Sequence, residues 1–305
     1  MTAVPAAEPV RVRPLLPGDV DAVVSMVCAQ EFTAGFPRET IRRSFDYPWM
    51  PDRPHSGFVL QAGERIVGCL GVIFSSRRVG GREERYGNTS TWYVEPSHRR
   101  YGLQLLTAAM QLEGVTLLTL SASEVAAAVL ERLGFQVVSR RALFFGPLSG
   151  PFAANLRTRI RSSPAELEVR LSPEHLRVLR DHLPFACGHY LVEEGGRSCY
   201  VVTARWREKG WFLPGAAPAR LRLRPWPVSS VLYVSDPELA RRHWLALRWR
   251  MMLRDRSVGV TVPEALLGPN PPEARAKLRR FHAYRRGGAP APADALYSEL
   301  VFQAG

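Results

Sequence analysis

Lysine is nearly absent. Lys209 and Lys277 are the only two in 305 residues, so almost all of the 41 basic side chains are arginine. Cysteine is sparse too: Cys28, Cys69, Cys187 and Cys199 form no C-x-x-C pair and no disulfide framework. That excludes a small disulfide-stapled scaffold and fits a reducing cytoplasm. No apolar run approaches the ~20 residues needed to span a bilayer. The opening MTAVPAAEPVRVR lacks an apolar signal core, so a cytoplasmic location is expected. What is present is ordinary for a globular chain. Apolar residues make up 46% and charged residues 23%, enough for proper cores and too few charges for a disordered tail. The length suggests two domains.

The formal net charge is +13, and it is unevenly placed. Residues 1–150 hold 16 basic side chains against 14 acids; residues 151–305 hold 25 against 14. An acidic partner for the second half, a nucleic acid or an anionic glycan, is one reading. Solvated arginine faces are the plainer one. No nucleic-acid-binding motif accompanies the charge, so a nucleic-acid partner is not expected. His182, Cys187, His189 and Cys199 are types that zinc accepts. However, His189 and Cys199 fall in segments that read as buried strands, and no metal is expected.

The pattern along the chain is mixed α/β. VRVRP-type alternation over 9–15 predicts a strand, 22–32 a helix and 36–45 a short second helix. Residues 56–75 read as a hairpin, 86–94 as a strand, 101–112 as a helix, 115–120 as a strand, 124–133 as a helix and 135–145 as a strand pair or one long strand. The second half reads as a copy. GHYLVEEGGRSCYVV (188–202) lies over GFVLQAGERIVGCLG (57–71), and SSVLYVSDP (229–237) over TSTWYVEP (89–96). ELEVRLSPEHLRVL (166–179) echoes the opening strand, turn and helix. Residues 238–253 predict a helix, 257–264 a strand, and YSELVF (297–302) resembles the strand RALFF (141–145). Several matches in one order indicate an internal repeat.

TWYVEPSHRRYGLQLLTAAM (91–110) carries the chemistry. A strand ends at Val94-Glu95-Pro96, and a helix opens at Arg99-Arg100-Tyr101-Gly102-Leu103-Gln104. A helix start leaves N–H groups unpaired and carries partial positive charge. Glycine there admits close backbone approach, and two arginines add charge. Such a place suits a pyrophosphate-like anion.

This passage resembles the GNAT acyltransferase superfamily, which uses acyl-coenzyme A. Val94, Pro96, Arg99 and Gly102 match its Val-x-Pro and Arg/Gln-x-x-Gly-x-Gly/Ala spacing. Ala126, Gly134 and Phe135 fall in register with its second signature. The resemblance implies a fold of two GNAT-like domains, 8–147 and 164–305, each a twisted, mostly antiparallel mixed sheet flanked by helices. They would pack as a pseudo-dimer in a monomer, or the chain would form a homodimer. It implies acetyl-coenzyme A, or another acyl-coenzyme A, as co-substrate. The binding residues would be Trp92, Tyr93, Val94, Arg99, Arg100, Tyr101, Gly102, Leu103, Gln104 and Ser123. The N–H groups of Arg100 to Gln104 would hold the pyrophosphate, and the strand from Trp92 to Val94 would pair with pantetheine. A backbone N–H near Tyr93 would polarise the thioester carbonyl. Tyr93 and Ser123 are thus the catalytic candidates.

Three positions depart from the family pattern. Gln104 replaces a small residue, Ser123 an asparagine, and Leu130 the tyrosine that protonates the departing thiolate in many members. No general base stands out among Glu31, His55, Ser90, Thr91 and Tyr93. Phe32, Phe36, Trp49 and Trp92 are candidates to line an acceptor pocket. The second copy has Asp236 and Glu238 where the phosphate loop would be, and it lacks the glycine. It would complete the acceptor cleft, with Arg241, Arg242 and Arg248 drawing an anionic acceptor. The expected function is acyl transfer to an amine or hydroxyl of a small molecule or glycan. A non-catalytic acyl-coenzyme A sensor is the alternative that Leu130 motivates, and a nucleic-acid-associated protein the one the charge motivates.

Overall fold

The alternating segment at the start of the chain forms β1 (Val10–Pro14). A computed structural model describes residues 9–33, 35–79, 81–147, 149, 158–268, 274–284 and 294–302. The chain divides into two units. The first comprises Met1–Ser121, Ala283–Gly288 and Tyr297–Phe302; the second comprises Ala122–His282, Ala289–Leu296 and Gln303–Gly305.

In the first unit, α1 (Val20–Cys28) buries Val20, Val23, Val24 and Val27, one face at helical spacing. It stops short of Phe32, and a 3-10 turn follows over Glu31–Thr33. Thr33 Oγ1 donates to Val27 O (2.9 Å) and satisfies a carbonyl at the helix end. Next come α2 (Arg38–Arg43), β2 (Gly57–Ala62), β3 (Arg65–Val79), β4 (Arg82–Val94), α3 (Gly102–Met110) and β5 (Val115–Thr119). The strands lie in the order β1-β2-β3-β4-β5. All neighbours are antiparallel except β4 and β5, which are parallel. Gly57 sits at φ +123°, where a Cβ would come 2.1 Å from Leu70 O, so the β2–β3 approach demands glycine there. Leu15, Ile41, Phe45, Val59 and Cys69 join the valines of α1 in the core.

β3 outruns β2, whose pairing ends at Gly57↔Gly71. Side chains from 45–53 cover the strand edge left over. Tyr47 OH accepts from Phe74 N–H (2.8 Å), and Trp49 Nε1 donates to Phe74 O (3.0 Å). Arg53 holds this loop by donating to Phe45 O, Tyr47 O and Met50 O, with its guanidinium 4.3 Å from the Tyr47 ring centre. Hydrogen-bonding aromatics thus do the work of a missing strand.

The second unit opens with α4 (Glu124–Arg132), capped by Ser123, and β6 (Gln136–Phe145). β7 (Ile160–Arg161), α5 (Pro164–Glu168), α6 (Pro173–His182), β8 (Cys187–Glu194), β9 (Arg197–Lys209) and α7 (Ala219–Leu223) follow. β10 (Pro225–Val234), α8 (Pro237–Arg242), α9 (Trp244–Asp255), β11 (Val260–Pro263), α10 (Glu264–Leu267) and β12 (Arg275–Tyr284), the last as far as His282, complete it. The strands run β12-β6-β11-β10-β9-β8-β7. β10 and β11 are the parallel pair, while β6–β11, β9–β10, β8–β9 and β7–β8 are antiparallel.

The sequence reading needs four corrections here. The strand expected at 166–171 is instead the end of a helix and a turn, because Pro164 at the first helical position after Ser163 starts α5, which runs to Glu168. The single helix expected over 238–253 is two, broken at His243. β12 has no counterpart among the expected strands. Residues 297–302 are not a strand: Glu299–Phe302 is one helical turn, in the first unit.

Burial sets the charge state inside the second unit. His189, hydrogen-bonded to Tyr200 OH at 2.7 Å, has its pKa lowered to about 3 by burial, with smaller pushes from His182 and Arg254. An unfolded histidine titrates near ~6.5. Between the two values the unfolded chain binds a proton that the folded protein refuses, so stability rises with pH. The urea midpoint is expected to fall as the pH is lowered from about 7 to about 4. His189→Gln should flatten that slope; an unchanged slope would show that the proton is taken up elsewhere.

Candidate active site

Backbone pairing between β4 and β5 stops early. It runs from Arg85↔Val115 to Asn88↔Leu118, and β4 then continues alone to Val94. One step past the last pair, the Thr89 and Thr119 hydroxyls lie 2.7 Å apart, a side-chain bridge where the ladder gives out. On its other side β4 stays with β3 but slips. Cys69 faces Tyr93 and Gly71 faces Ser90, so β4 carries one extra residue. That is a β-bulge. Thr91 sits at φ +48° within it, a left-handed conformation that costs a β-branched residue free energy.

The bulge decides which backbone groups face the opening. Glu95 N–H donates to Val67 O on β3. Tyr93, two residues earlier, also turns its N–H to β3, where it reaches the Cys69 thiol; burial still pushes that thiol up to about 12. Successive residues of a strand point their N–H groups to opposite sides. Val94, between these two, therefore turns its N–H away from β3, toward the gap left by β5. Of the backbone donors near Tyr93, its own N–H lies on the β3 side and that of Val94 faces the gap.

Pro96–Tyr101 forms a 3-10 segment that runs directly into α3, and Gly102 N–H donates to Arg99 O. The helix thus begins one residue later than expected, with its first turn pre-wound. Gly102 is buried at φ −57°. A Cβ there would meet Val94 Cγ2 at 3.6 Å and Trp92 Nε1 at 3.9 Å, ordinary contacts. The protein's own packing does not require glycine at this point, whereas close approach of a ligand would. Arg99 and Arg100 are exposed, and the Arg100 guanidinium lies 4.8 Å from the Tyr101 ring centre. Leu103 and Gln104 are exposed as well. Gln104 lines a groove of about 350 Å³ with Val12, Phe58, Thr107 and Gln111. It stands beside α3 and β1.

The strands part among buried polar side chains. Asn88, Thr89 and Ser90 are each at most 6% exposed. Glu299, from the one-turn helix, is 5% exposed in the same place. Its Oε2 accepts from Asn88 Nδ2, and its Oε1 accepts from Ser121 Oγ at 2.5 Å. Asn88 Oδ1 and Ser90 Oγ have no partner among the described residues. Tyr297 and Phe302 on either side of Glu299 pack on Trp49, with ring centres at 5.2 and 5.3 Å. Nothing local in the sequence singles out Glu299, because YSELVF reads as a strand. Its available signal is one acid inside an apolar run.

The other candidates are dispersed. Ser123 belongs to the second unit, where its Oγ caps α4 by accepting from Ala126 N–H (3.3 Å). Leu130 is a core residue of α4, 1% exposed. Glu31 is exposed, Phe36 is 41% exposed, and the Phe32 side chain lies outside the described residues. His55 Nδ1 accepts from Gly57 N–H, and burial lowers its pKa. Arg248 is buried, 2% exposed; Arg241 donates to Leu267 O, and Arg242 pairs with Glu194 and Glu238. These three arginines are committed within the second unit and form no open anion-drawing patch.

The second unit repeats the device. β10 pairs with β11 only at Ser229↔Val260 and Ser230↔Thr261, and it carries an extra residue against β9 between Val231 and Tyr233. Here, however, the bulge residue Leu232 has its carbonyl engaged: it accepts from Ala295 N–H at 2.8 Å. The next residue, Leu296, accepts at its carbonyl from His182 Nε2 at 2.6 Å. Residues 294–296 therefore lie in the second unit along the strand that corresponds to the open one.

A family model described as "Acetyltransferase (GNAT) family" matches residues 25–135, from within α1 to just past α4. No curated protein matches the chain. Among solved structures, a GCN5-related N-acetyltransferase from Kribbella flavida superposes with a TM-score of 0.58 at 16% identity, over 92% of this chain and 72% of that one. One from Anabaena variabilis gives 0.57 at 9% identity, over 90% and 72%. A putative acetyltransferase from Pyrococcus horikoshii gives 0.54 at 12% identity, over 97% and 96%. At these identities the likeness bears on the fold.

Thr91→Gly removes a side chain that the left-handed backbone disfavours. The variant is expected to be more stable by about 0.5–1 kcal/mol in urea unfolding. A loss of stability would mean that the Thr91 side chain repays its own strain.

Proposed function

We propose, for a chain whose residues 25–135 are a domain of the GNAT acetyltransferase family, that the first unit transfers an acyl group from acyl-coenzyme A to an amine or hydroxyl acceptor. The observation that carries this reading is the parting of β4 from β5, beside a bulge in β4 after which Val94 faces the gap. The pantetheine arm would pair there as an added strand. The Val94 N–H, which faces the gap, is the donor we assign to the thioester carbonyl, where negative charge develops during attack. The pyrophosphate would lie against the 3-10 segment and start of α3, at Arg99, Arg100, Tyr101, Gly102, Leu103 and Gln104. Acetyl-coenzyme A is the simplest donor. Attack by the acceptor is direct, without an acyl-enzyme.

In this reading the halves 8–147 and 164–305 are copies by descent. Each has a long antiparallel hairpin, a bulged strand and a parallel partner that leaves it early. The second copy does not bind coenzyme A. Its bulge carbonyl is engaged by Ala295, and Asp236 caps α8 where phosphate would sit, its Oδ1 accepting from Leu239 N–H while Arg197 neutralises it.

Incubation with acetyl-coenzyme A and a panel of amines and alcohols tests the reading. Thiol release matched by an acylated product supports it; tight binding with no product supports a sensor. Gly102→Ala separates binding from folding. Alanine is the better helix former by up to about 1 kcal/mol, so the urea midpoint should hold or rise. The dissociation constant for acetyl-coenzyme A should rise at least about tenfold as the methyl meets the pyrophosphate. Unchanged affinity would move the anion site away from α3.

A further inference from the structure

From Lys209 to Ser235 the chain holds no acid, while Arg220, Arg222 and Arg224 stand at alternate positions within it. The fold of the second unit sets this stretch apart. β9 leaves β8 after Cys187↔Ala204, and β10 meets β11 only at Ser229↔Val260 and Ser230↔Thr261. Beyond those points the β9–β10 hairpin runs on as a two-stranded arm, with Arg207↔Pro227 and Lys209↔Pro225 in register. α7 lies in its connection. Trp226 Nε1 donates to Leu221 O (2.9 Å) and Gly210 N–H donates to Arg222 O (2.8 Å), which fastens the helical turn to the arm.

Arg207, Lys209, Arg220, Arg222 and Arg224 are exposed, and none of them pairs with an acid among the described residues. Arg161, Arg197 and Arg242 of the same unit, by contrast, are paired. The arm's own acid is spent. Glu208 is 7% exposed, and Trp211 Nε1, Lys277 Nζ (2.7 Å) and the Arg279 guanidinium (3.6 Å) converge on its carboxylate. The arm therefore shows solvent charge of one sign. It shows apolar surface as well: Leu223 is 64% exposed between Arg222 and Arg224, and Trp211, Leu213 and Trp226 are only partly buried.

Charges along a strand edge guard it against pairing with other chains. That accounts for Arg207 and Lys209 but not for a bare leucine among arginines on a helical turn. Arginine around leucine and tryptophan suits a segment at a lipid interface, where guanidinium groups meet headgroup phosphates and the leucine enters the acyl boundary. We propose that the β9–β10 arm, with α7 at its head, docks on an anionic lipid surface through these five cations and Leu223. Such docking is independent of acyl transfer by the first unit. Single-stranded nucleic acid fits the arm less well, because its bases stack on open aromatic faces. Each indole here already carries a cation of the protein: Arg279 over Trp206 (5.2 Å), Lys277 over Trp211 (4.8 Å) and Arg224 over Trp226 (5.0 Å).

Cosedimentation of the full chain with lipid vesicles tests this. One set is phosphatidylcholine alone; in the other about a third of the lipid is phosphatidylglycerol. Wild type should pellet with the anionic vesicles, stay in solution with the neutral ones, and release as salt is raised. Each arginine near such a surface strengthens binding about fivefold. The triple variant Arg207→Gln, Arg220→Gln, Arg222→Gln should therefore bind anionic vesicles about a hundredfold more weakly, with an unchanged urea midpoint. Leu223→Ser keeps every charge and should weaken the same binding about tenfold, because the leucine no longer enters the apolar boundary. Absence of wild-type binding, equal binding to both vesicles, or wild-type affinity in the triple variant would overturn the proposal. Unchanged affinity of Leu223→Ser would also overturn it, since the arm would then be a charge contact open to any free phosphate. Tighter binding to a single-stranded oligonucleotide than to anionic vesicles at the same salt would overturn the lipid assignment in favour of nucleic acid.

Discussion

Thr91 is held at φ +48°, and the extra residue it creates puts β4 out of step with β3. Much of the candidate site depends on that slip. Past the bulge, Tyr93 and Glu95 turn their N–H groups to β3, and Val94 between them is left facing outward. β5 has already ended its pairing at Leu118, so no ladder from that strand takes it up. Exposed edge groups of this kind invite another extended chain. In a protein built for stability alone, a glycine at the bulge or a longer β5 would remove both the strain and the open edge. Strained backbone kept beside unpartnered buried polar atoms points to function.

The second unit shows what happens to such an edge when it is not kept for a ligand. Leu232 sits at the equivalent bulge, and the Ala295 N–H meets its carbonyl. A stretch of the protein's own chain takes the position that pantetheine takes in the reading of the first unit. That stretch then continues into residues assigned to the first unit, where Glu299 reaches Asn88 and Ser121. Several arginines of the second unit are paired with its own acids: Arg161 and Arg170 with Glu193, Arg197 with Asp236 and Glu238, Arg242 with Glu194, and Arg254 with Asp255. Exposed pairs of this sort add little stability each, and they leave the net excess of basic side chains unchanged.

Local physics decided how much of this could be read from the amino acids. Both long hairpins were legible because Gly-containing turns divide apolar runs, and β-hairpins form from near neighbours. The Val94-Glu95-Pro96 strand end and the Gly102 helix start were legible because Pro and Gly punctuate locally. The bulge was not: it depends on a register mismatch between strands, which no single segment encodes. β12 was missed because arginines fill RAKLRRFHAY and blur its alternation; only Phe281, His282 and Ala283 are buried. YSELVF has the apolar content of a strand, and only its tertiary surroundings wind it into a turn of helix. Glu299 went unseen for the same reason. Its meaning comes from Asn88, 211 positions earlier in the chain.

Leu130, at a position where the resemblance to the acyltransferases would place a tyrosine, belongs to the second unit. Leu130 is packed into a core, with Phe135 N–H bonded to its carbonyl at 3.0 Å. A phenol there would need its own buried hydrogen-bond partner. A leucine fills the place with no polar atom to satisfy, so the packing of α4 explains the residue without reference to any chemistry.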